Sequence, residues 1–295
     1  MKKVLSILVL TMVALTAFSF VIVDDMGRLV NIDSVPKRVI VAAPAITEYL
    51  VVLECSDKIV GLTDWDSYAA ALGIETIGNL TPLNLEKIVS LEPDVVFISG
   101  GFQAPEVEKL DEIGITAFVV NPNSFYEISQ SIVNVSIIMD KVEKGKELKD
   151  NFESDVLDIA KNASNLPMNE KKTVFYGMFS SDMSQIWTSG TGSFLNEALI
   201  YAGGANVTAP YSGNNGWFPV GPEFIYVNDP DIIFVPYYYE GGQQEAIDTV
   251  MNYEAFKDLK AVKNKDVIPV SNYLTDYANP NYSDLVKYFN ESIYK

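Results

Sequence analysis

Histidine is absent from the 295 residues, and cysteine occurs once, as Cys55. Without histidine there can be no Ser-His-Asp or Cys-His nucleophile, and no His-ligated zinc, non-haem iron or haem. One cysteine rules out an intrachain disulfide, a thiolate zinc cluster and an iron–sulfur centre. Positive charge is also scarce. Lysine and arginine total 21 against 39 acidic residues, for a net charge of −18, and the arginines are only Arg28 and Arg38. Nucleic acid is therefore excluded as a partner, because counterion release needs clustered basic side chains. Long apolar runs are missing except at the start, so the chain is not a polytopic membrane protein. What is present is an ordinary core-forming composition, 48% hydrophobic and 12% aromatic. That is enough apolar surface to offset chain entropy and exclude disorder. The length sits at the limit of roughly 250–300 residues where a single core stops growing, so two lobes are expected.

The start reads as a signal peptide over residues 1–19. Lys2 and Lys3 precede an apolar stretch, residues 4–18, interrupted only by Ser6, Thr11 and Thr16. Ala17-Phe18-Ser19 then puts small residues at −3 and −1, for a mature start near Phe20. A membrane anchor competes, because Val21-Ile22-Val23 extends the apolar run toward spanning length. The dibasic start and small-residue exit favour cleavage. No cysteine lies near the boundary, so no lipid anchor is expected, and the product is expected outside the cytoplasmic membrane.

Beyond this leader, strand-like and helix-like stretches alternate. Residues 38–42, 58–62, 94–98 and 116–120 are continuous apolar runs, with helices expected over 47–53 and 85–91. Such runs between helices indicate parallel strands covered on both faces, an α/β fold. The pattern restarts at residues 173–178. Residues 86–98 (EKIVSLEPDVVFI) and 223–235 (EFIYVNDPDIIFV) match at five of thirteen positions, with four close replacements. In each, an acid opens a short helix, a proline stops it, and aspartate leads into a β-branched strand. Chance similarity between two helix–Pro–strand units is the competing explanation. Between the halves, residues 143–165 carry one apolar stripe, Leu148, Phe152, Val156 and Ile159, on a charged helix. At ~1.5 Å per residue it spans about 35 Å. This divides the mature chain into an N-terminal lobe, residues 20–142, a connecting helix, residues 143–165, and a C-terminal lobe, residues 166–295. A surface helix of either lobe is the other reading of the stripe.

Ala43-Pro44-Ala45-Ile46-Thr47-Glu48, Val60-Gly61-Leu62-Thr63-Asp64 and Asn84-Leu85-Glu86-Lys87-Ile88 with Pro93-Asp94 resemble the periplasmic solute-binding proteins for cobalamin and iron–siderophore complexes. Thr188-Ser189-Gly190-Thr191-Gly192-Ser193-Phe194 through Glu197, Ala202-Gly203-Gly204-Ala205-Asn206, and Trp217-Phe218-Pro219-Val220 with Glu223 and Pro230-Asp231 continue the resemblance in order. It implies two Rossmann-like α/β lobes with mostly parallel sheets, joined by one long helix, with the ligand cleft between them. It further implies a non-enzymatic, monomeric carrier with no cofactor of its own. The carrier would deliver a metal chelate to an ABC transporter permease dimer with its ATPase subunits. The family presents one exposed glutamate per lobe to permease arginines, and Glu48 and Glu197 hold matched places after the first strand-to-helix turn of each half. The plain alternative is a carboxylate favoured by the helix macrodipole, worth ~0.3–1 kcal/mol.

For the cleft, Trp217 in a glycine–asparagine loop and Trp65 after a strand are the leading aromatic candidates. Tyr68, Phe102, Phe179 and Tyr273 follow. Aromatic faces suit a broad, partly apolar ligand, and ordinary packing is the competing role for each tryptophan. Trp187 reads as a core residue in a strand before the glycine loop, Tyr237-Tyr238-Tyr239 as cleft or solvent-facing edge, and Cys55 as a buried small residue. With two arginines and no histidine, anionic chelates and bare metal ions are disfavoured. A neutral or cationic, amide-rich ligand fits best: a corrinoid such as cobalamin, then a hydroxamate iron chelate, with Tyr-ligated haem left open. An exported enzyme working through carboxylates, or a hard-metal site at Asp64-Trp65-Asp66, is the rival class. Gly190-Thr191-Gly192-Ser193 reads as a tight strand-to-helix turn rather than a phosphate loop.

Overall fold

The structure is a computed structural model that describes residues 19–295. Apart from Ser19, the expected signal peptide lies outside the described residues. Strands β1 (Phe20–Val23) and β2 (Leu29–Ile32) form an antiparallel hairpin with Phe20 opposite Ile32 and Val23 opposite Leu29. The apolar Val21-Ile22-Val23, which the anchor reading adds to a membrane run, is thus a β-strand. Arg28 ties the hairpin down, donating to the Asp24 carboxylate at 2.9 Å and to the Ala117 carbonyl at 2.7 Å. No helix among the described residues is long and apolar enough to cross a membrane.

The first lobe runs β3 (Val39–Val41), α1 (Pro44–Val52), β4 (Ile59–Leu62), α2 (Tyr68–Leu72), α3 (Leu85–Ser90), β5 (Val95–Ile98), α4 (Ala104–Glu112), β6 (Ala117–Val119) and α5 (Phe125–Ile138). Its sheet is parallel, in the order β4-β3-β5-β6. Strands β3, β5 and β6 are buried throughout, as continuous apolar runs require.

A 23-residue helix, α6 (Val142–Ser164), follows. The second lobe contains β7 (Thr173–Tyr176), β8 (Met178–Phe179), β9 (Ile186–Ser189), α7 (Phe194–Tyr201), β10 (Ala205–Asn206) and β11 (Trp217–Val220). It is completed by α8 (Pro222–Asn228), β12 (Ile232–Tyr237), α9 (Gln243–Met251), α10 (Lys260–Asn264), β13 (Val267–Ser271), α11 (Asn272–Thr275) and α12 (Tyr282–Ile293). Its parallel sheet has the order β10-β7-β12-β13, the same winding as the first, and a small antiparallel sheet, β11-β9-β8, is added beside it.

The repeat found in the sequence maps onto equivalent strands. β5 pairs with β3, and β12 pairs with β7, each the opening strand of its sheet. The aspartate before each does the same work: Asp94 accepts the amides of Lys37 and Arg38 at 2.7 and 2.9 Å, and Asp231 accepts the Thr173 amide and hydroxyl at 2.8 Å. The residue before each proline, Glu92 or Asp229, has positive φ, which turns the chain sharply out of the helix. Arg38 donates to the Leu91 and Glu92 carbonyls, a structural duty that removes it from ligand contact.

Helix α6 packs on α5 of the first lobe and on α7 and α12 of the second. Of its stripe, Phe152 and Val156 are buried, while Leu148 and Ile159 are partly buried. Phe152 stacks on Phe125, with centroids 5.2 Å apart and planes 19° apart, and lies 6.1 Å from Tyr282. A methyl at Gly145 would fall 2.1 Å from the Ser136 hydroxyl, so α5 and α6 approach this closely only because residue 145 lacks a side chain.

Candidate functional site

A cavity of about 290 Å³ lies where the carboxyl ends of the first sheet meet the second lobe. Each strand of that sheet delivers lining residues from the loop that follows it: Pro44 after β3, Trp65 after β4, Ser99 and Phe102 after β5, and Asn121 after β6. Phe194, Asp276, Tyr277 and Ala278 close it from the second lobe. Open α/β sheets place ligands at this edge because loops there diverge. Trp65 and Phe102 are 65% and 61% exposed, which is unusual for such large apolar rings and leaves their faces free for a ligand. The Trp65 indole N–H donates to Asn79 Oδ1 at 2.8 Å, fixing the ring. Buried Gln103 donates to the Ala42 and Leu80 carbonyls at 2.8 Å, bracing the turns that carry the wall.

Asp276 is the one charged residue on the lining among the described residues. Its carboxylate receives only two long hydrogen bonds, 3.3 Å each, from Asn272 and Thr275. Although open to cleft water, it is flanked by protein from both lobes, and this desolvation raises its carboxyl above the usual range. Burial likewise raises the carboxyls of Asp25, Asp66 and Glu197. A carboxyl raised by folding binds its proton more tightly in the folded state. Its ionised form costs stability at neutral pH, and the cost vanishes as pH falls through the raised value to the ordinary one. Asp231, Glu106 and Glu153 are lowered, so their contribution is lost only further down, below the ordinary value. The thermal midpoint is therefore expected to be higher near about pH 5 than near about pH 8, and Asp276→Asn is expected to raise it at the higher pH. A midpoint that climbs steadily between those values would contradict this.

The two glutamates expected to face a partner do not have the required exposure. Glu48 is 7% exposed and accepts the Tyr68 hydroxyl at 2.7 Å and the Tyr273 hydroxyl from the other lobe. Glu197 is half-buried and accepts the Phe125 amide at 2.7 Å, capping α5 across the lobe boundary. Both carboxylates are used in joining the lobes. Tyr49, whose hydroxyl donates to the Ala278 carbonyl at 3.1 Å, and Asn123, whose amide donates to the Gly192 and Asn215 carbonyls, complete the seam.

Of the six aromatic candidates, the fold brings Trp65 and Phe102 together on the cavity wall. Tyr68 and Tyr273 meet at Glu48 instead, and Asn281 donates to the Tyr273 hydroxyl at 3.1 Å. Trp217 is not in a loop: it opens β11, half-buried, with its ring edge-on to Tyr176 at 6.1 Å, and lies off the cavity lining. Phe179 is in β8, packed near Phe175 and Phe256, and lines a separate cleft with Tyr237, Tyr238 and Tyr239. Trp187, expected in the core, is 42% exposed because alternation along β9 turns Ile186 and Thr188 inward. Cys55 is buried, as expected.

Sequence reasoning passed over Asp276 and Tyr277, which carry no motif. It also passed over a pair its own repeat contained. Glu86 and Glu223, the first residue of each repeat unit, lie exposed in the first turns of α3 and α8. Each helix leads back into a parallel strand, so its N-terminus lies at the carboxyl edge of its sheet. The exposed Val89 and Tyr226 stand one turn further on. A search for matched acids inside the repeat would have found them.

Comparison with known proteins bears on this arrangement. The family profile described as periplasmic binding protein matches residues 39–274. An uncharacterised ABC transporter substrate-binding lipoprotein of Bacillus subtilis is 29% identical over 282 residues, covering 94% of this chain and 86% of the relative. A vitamin B12-binding protein of Vibrio vulnificus is 28% identical over 210 residues, 70% of this chain and 74% of its own. Among solved structures, one described as an ABC-type Fe3+-hydroxamate transport system from Saccharomonospora viridis superposes with a TM-score of 0.76 at 21% identity, covering 94% of this chain and all of that one. At that identity, the likeness shows the fold.

Proposed function

Since the chain belongs to the periplasmic binding protein family, we propose that it is the extracytoplasmic solute-binding component of an ABC importer, carrying a metal chelate between its lobes to the membrane permease. The observation that carries this reading is the interlobe cavity, with two largely exposed aromatic rings on one lobe and a polar edge on the other. The names of the relatives support a corrinoid or a hydroxamate iron chelate as cargo. The cavity volume lies at the lower end of the ~300–1,000 Å³ range for ligand sites, so a large chelate enters as the seam at Glu48, Tyr49, Asn123 and Glu197 parts. A single long helix permits such rocking while limiting wide opening. The enzyme alternative is disfavoured by Asp66, which is turned inward onto the Thr47 hydroxyl at 2.5 Å and the Tyr68 amide at 3.0 Å.

Glu86 and Glu223, matched by the internal duplication, are the acids we assign to permease docking. A partner with two-fold symmetry and one basic patch per subunit fits two lobes that each present the same acid followed by an apolar side chain. The carrier acts as a monomer released by a signal peptide.

Titration of the purified chain with cyanocobalamin and with a ferric trihydroxamate tests the site. One ligand per chain is expected. Trp65→Ala is expected to weaken binding about thirtyfold, some 2 kcal/mol, by removing a fixed aromatic face. Unchanged affinity in Trp65→Ala would remove this cavity as the binding site.

A further inference from the structure

The cleft has an electrical sign that its aromatic walls do not explain. Among the described residues no lysine or arginine lines the cavity, and Asp276 stands on it with two weak hydrogen bonds from its own helix. A carboxylate can accept about four hydrogen bonds, so much of its capacity faces the cleft unused. Other acids near the wall are engaged or turned to solvent: Asp66 is held by Thr47 and Tyr68, Glu48 by Tyr68 and Tyr273, and Asp25 by the Asn121 amide, while Asp64, beside Trp65 in the chain, is exposed and off the lining. Retaining an under-partnered carboxylate between two lobes costs stability, and such a cost is commonly kept where function needs the group. Its field reaches along the second lobe. The Tyr238 phenol is pushed up to about 12 by burial and by the Asp276 charge, and Tyr277 is raised by burial and by the charges of Asp276 and Asp66.

Resting on the reading of this cavity as the chelate site, we infer that Asp276 sets the charge preference of the cleft, and that the cargo turns a positively charged or N–H-rich edge toward it while its apolar face lies on Trp65 and Phe102. The site thus takes cationic chelates in preference to neutral ones, and rejects anionic ones. Rejection follows from desolvating a second negative charge beside the first with no cation to compensate.

Two matched probe pairs test this on the full chain: ferrioxamine B, a ferric trihydroxamate with one pendant ammonium, against its neutral N-acetyl form; and cyanocobalamin carrying one added primary amine on the ribose against unmodified cyanocobalamin. On whichever scaffold binds, the amine form is expected to bind about tenfold more tightly at low ionic strength. The preference is expected to shrink in about 0.5 M salt. It should disappear in Asp276→Asn, an isosteric change whose folding is checked by its thermal midpoint. It should survive in Glu112→Gln, which removes an exposed charge at the far end of α4, away from the cavity, and so controls for net charge. A bound scaffold with no amine preference, or a preference that persists in Asp276→Asn, overturns this inference and leaves the chelate-carrier reading standing. Failure of both scaffolds to bind overturns the two together.

Discussion

Replacing Glu86 and Glu223 together by arginine is expected to abolish uptake through the permease, by about a hundredfold or more, while the purified chain keeps its affinity for cargo. The two side chains are exposed at helix starts on equivalent corners of the two lobes, and neither lines the cavity. Reversal turns attraction into like-charge opposition at both contacts with a basic partner surface, a cost of several kcal/mol in total. Each single reversal is expected to fall between the wild type and the double variant, because one lobe still engages. The same experiment at Glu48 would not be informative. An arginine there would bury an unpaired cation beside Tyr68 and Tyr273 and break the seam between lobes, so lost transport would report lost structure. Normal uptake by the double variant would remove Glu86 and Glu223 from docking.

The largest effect on stability is expected at Phe152. Phe152→Ala should destabilise the chain by about 3–5 kcal/mol, the usual range for deleting a buried aromatic ring. Phe152 is 4% exposed on α6, stacks on Phe125 of the first lobe and meets Tyr282 of the second in a tilted contact, closing a three-ring cluster across the lobes. A loss of roughly 10 °C in the thermal midpoint is expected. Phe152→Leu should restore most of it, since bulk rather than aromatic geometry supplies the larger share. A midpoint within a degree or two of wild type would mean that α6 does not couple the lobes.

Much of the fold was legible because parallel, doubly covered strands write themselves as apolar runs. Residues 95–98 and 232–235 can be read on sight, and the Pro-Asp steps before them mark where each strand begins. The hairpin of β1 and β2 was not legible, because Val21-Ile22-Val23 merges with the apolar leader and only pairing with Leu29–Ile32 makes it a strand. Of the antiparallel sheet of β8, β9 and β11, the strand that holds Trp187 before the glycine loop was legible, while β8 and β11 escaped for a related reason. Its strands are two to four residues long, and Trp217 sits beside glycines and asparagines that resemble loop sequence. Burial of Glu48 could not be read locally, since its partner Tyr273 is 225 residues away. Trp65 and Phe102 could be placed because residues just after a β-strand in an α/β lobe sit at the carboxyl edge of the sheet. Asp276 could not: nothing in Leu274-Thr275-Asp276-Tyr277 distinguishes it from other surface acids until the lobes are brought together.

The most direct test of the carrier reading is the visible absorption of the purified chain after incubation with cyanocobalamin, with cobinamide, and with ferric trihydroxamates, followed by removal of free ligand by gel filtration. The expected result is one chromophore retained per chain for at least one of these chelates, with retention sharply reduced in Trp65→Ala. Passage of every chelate through unretained, by a folded chain, would contradict it.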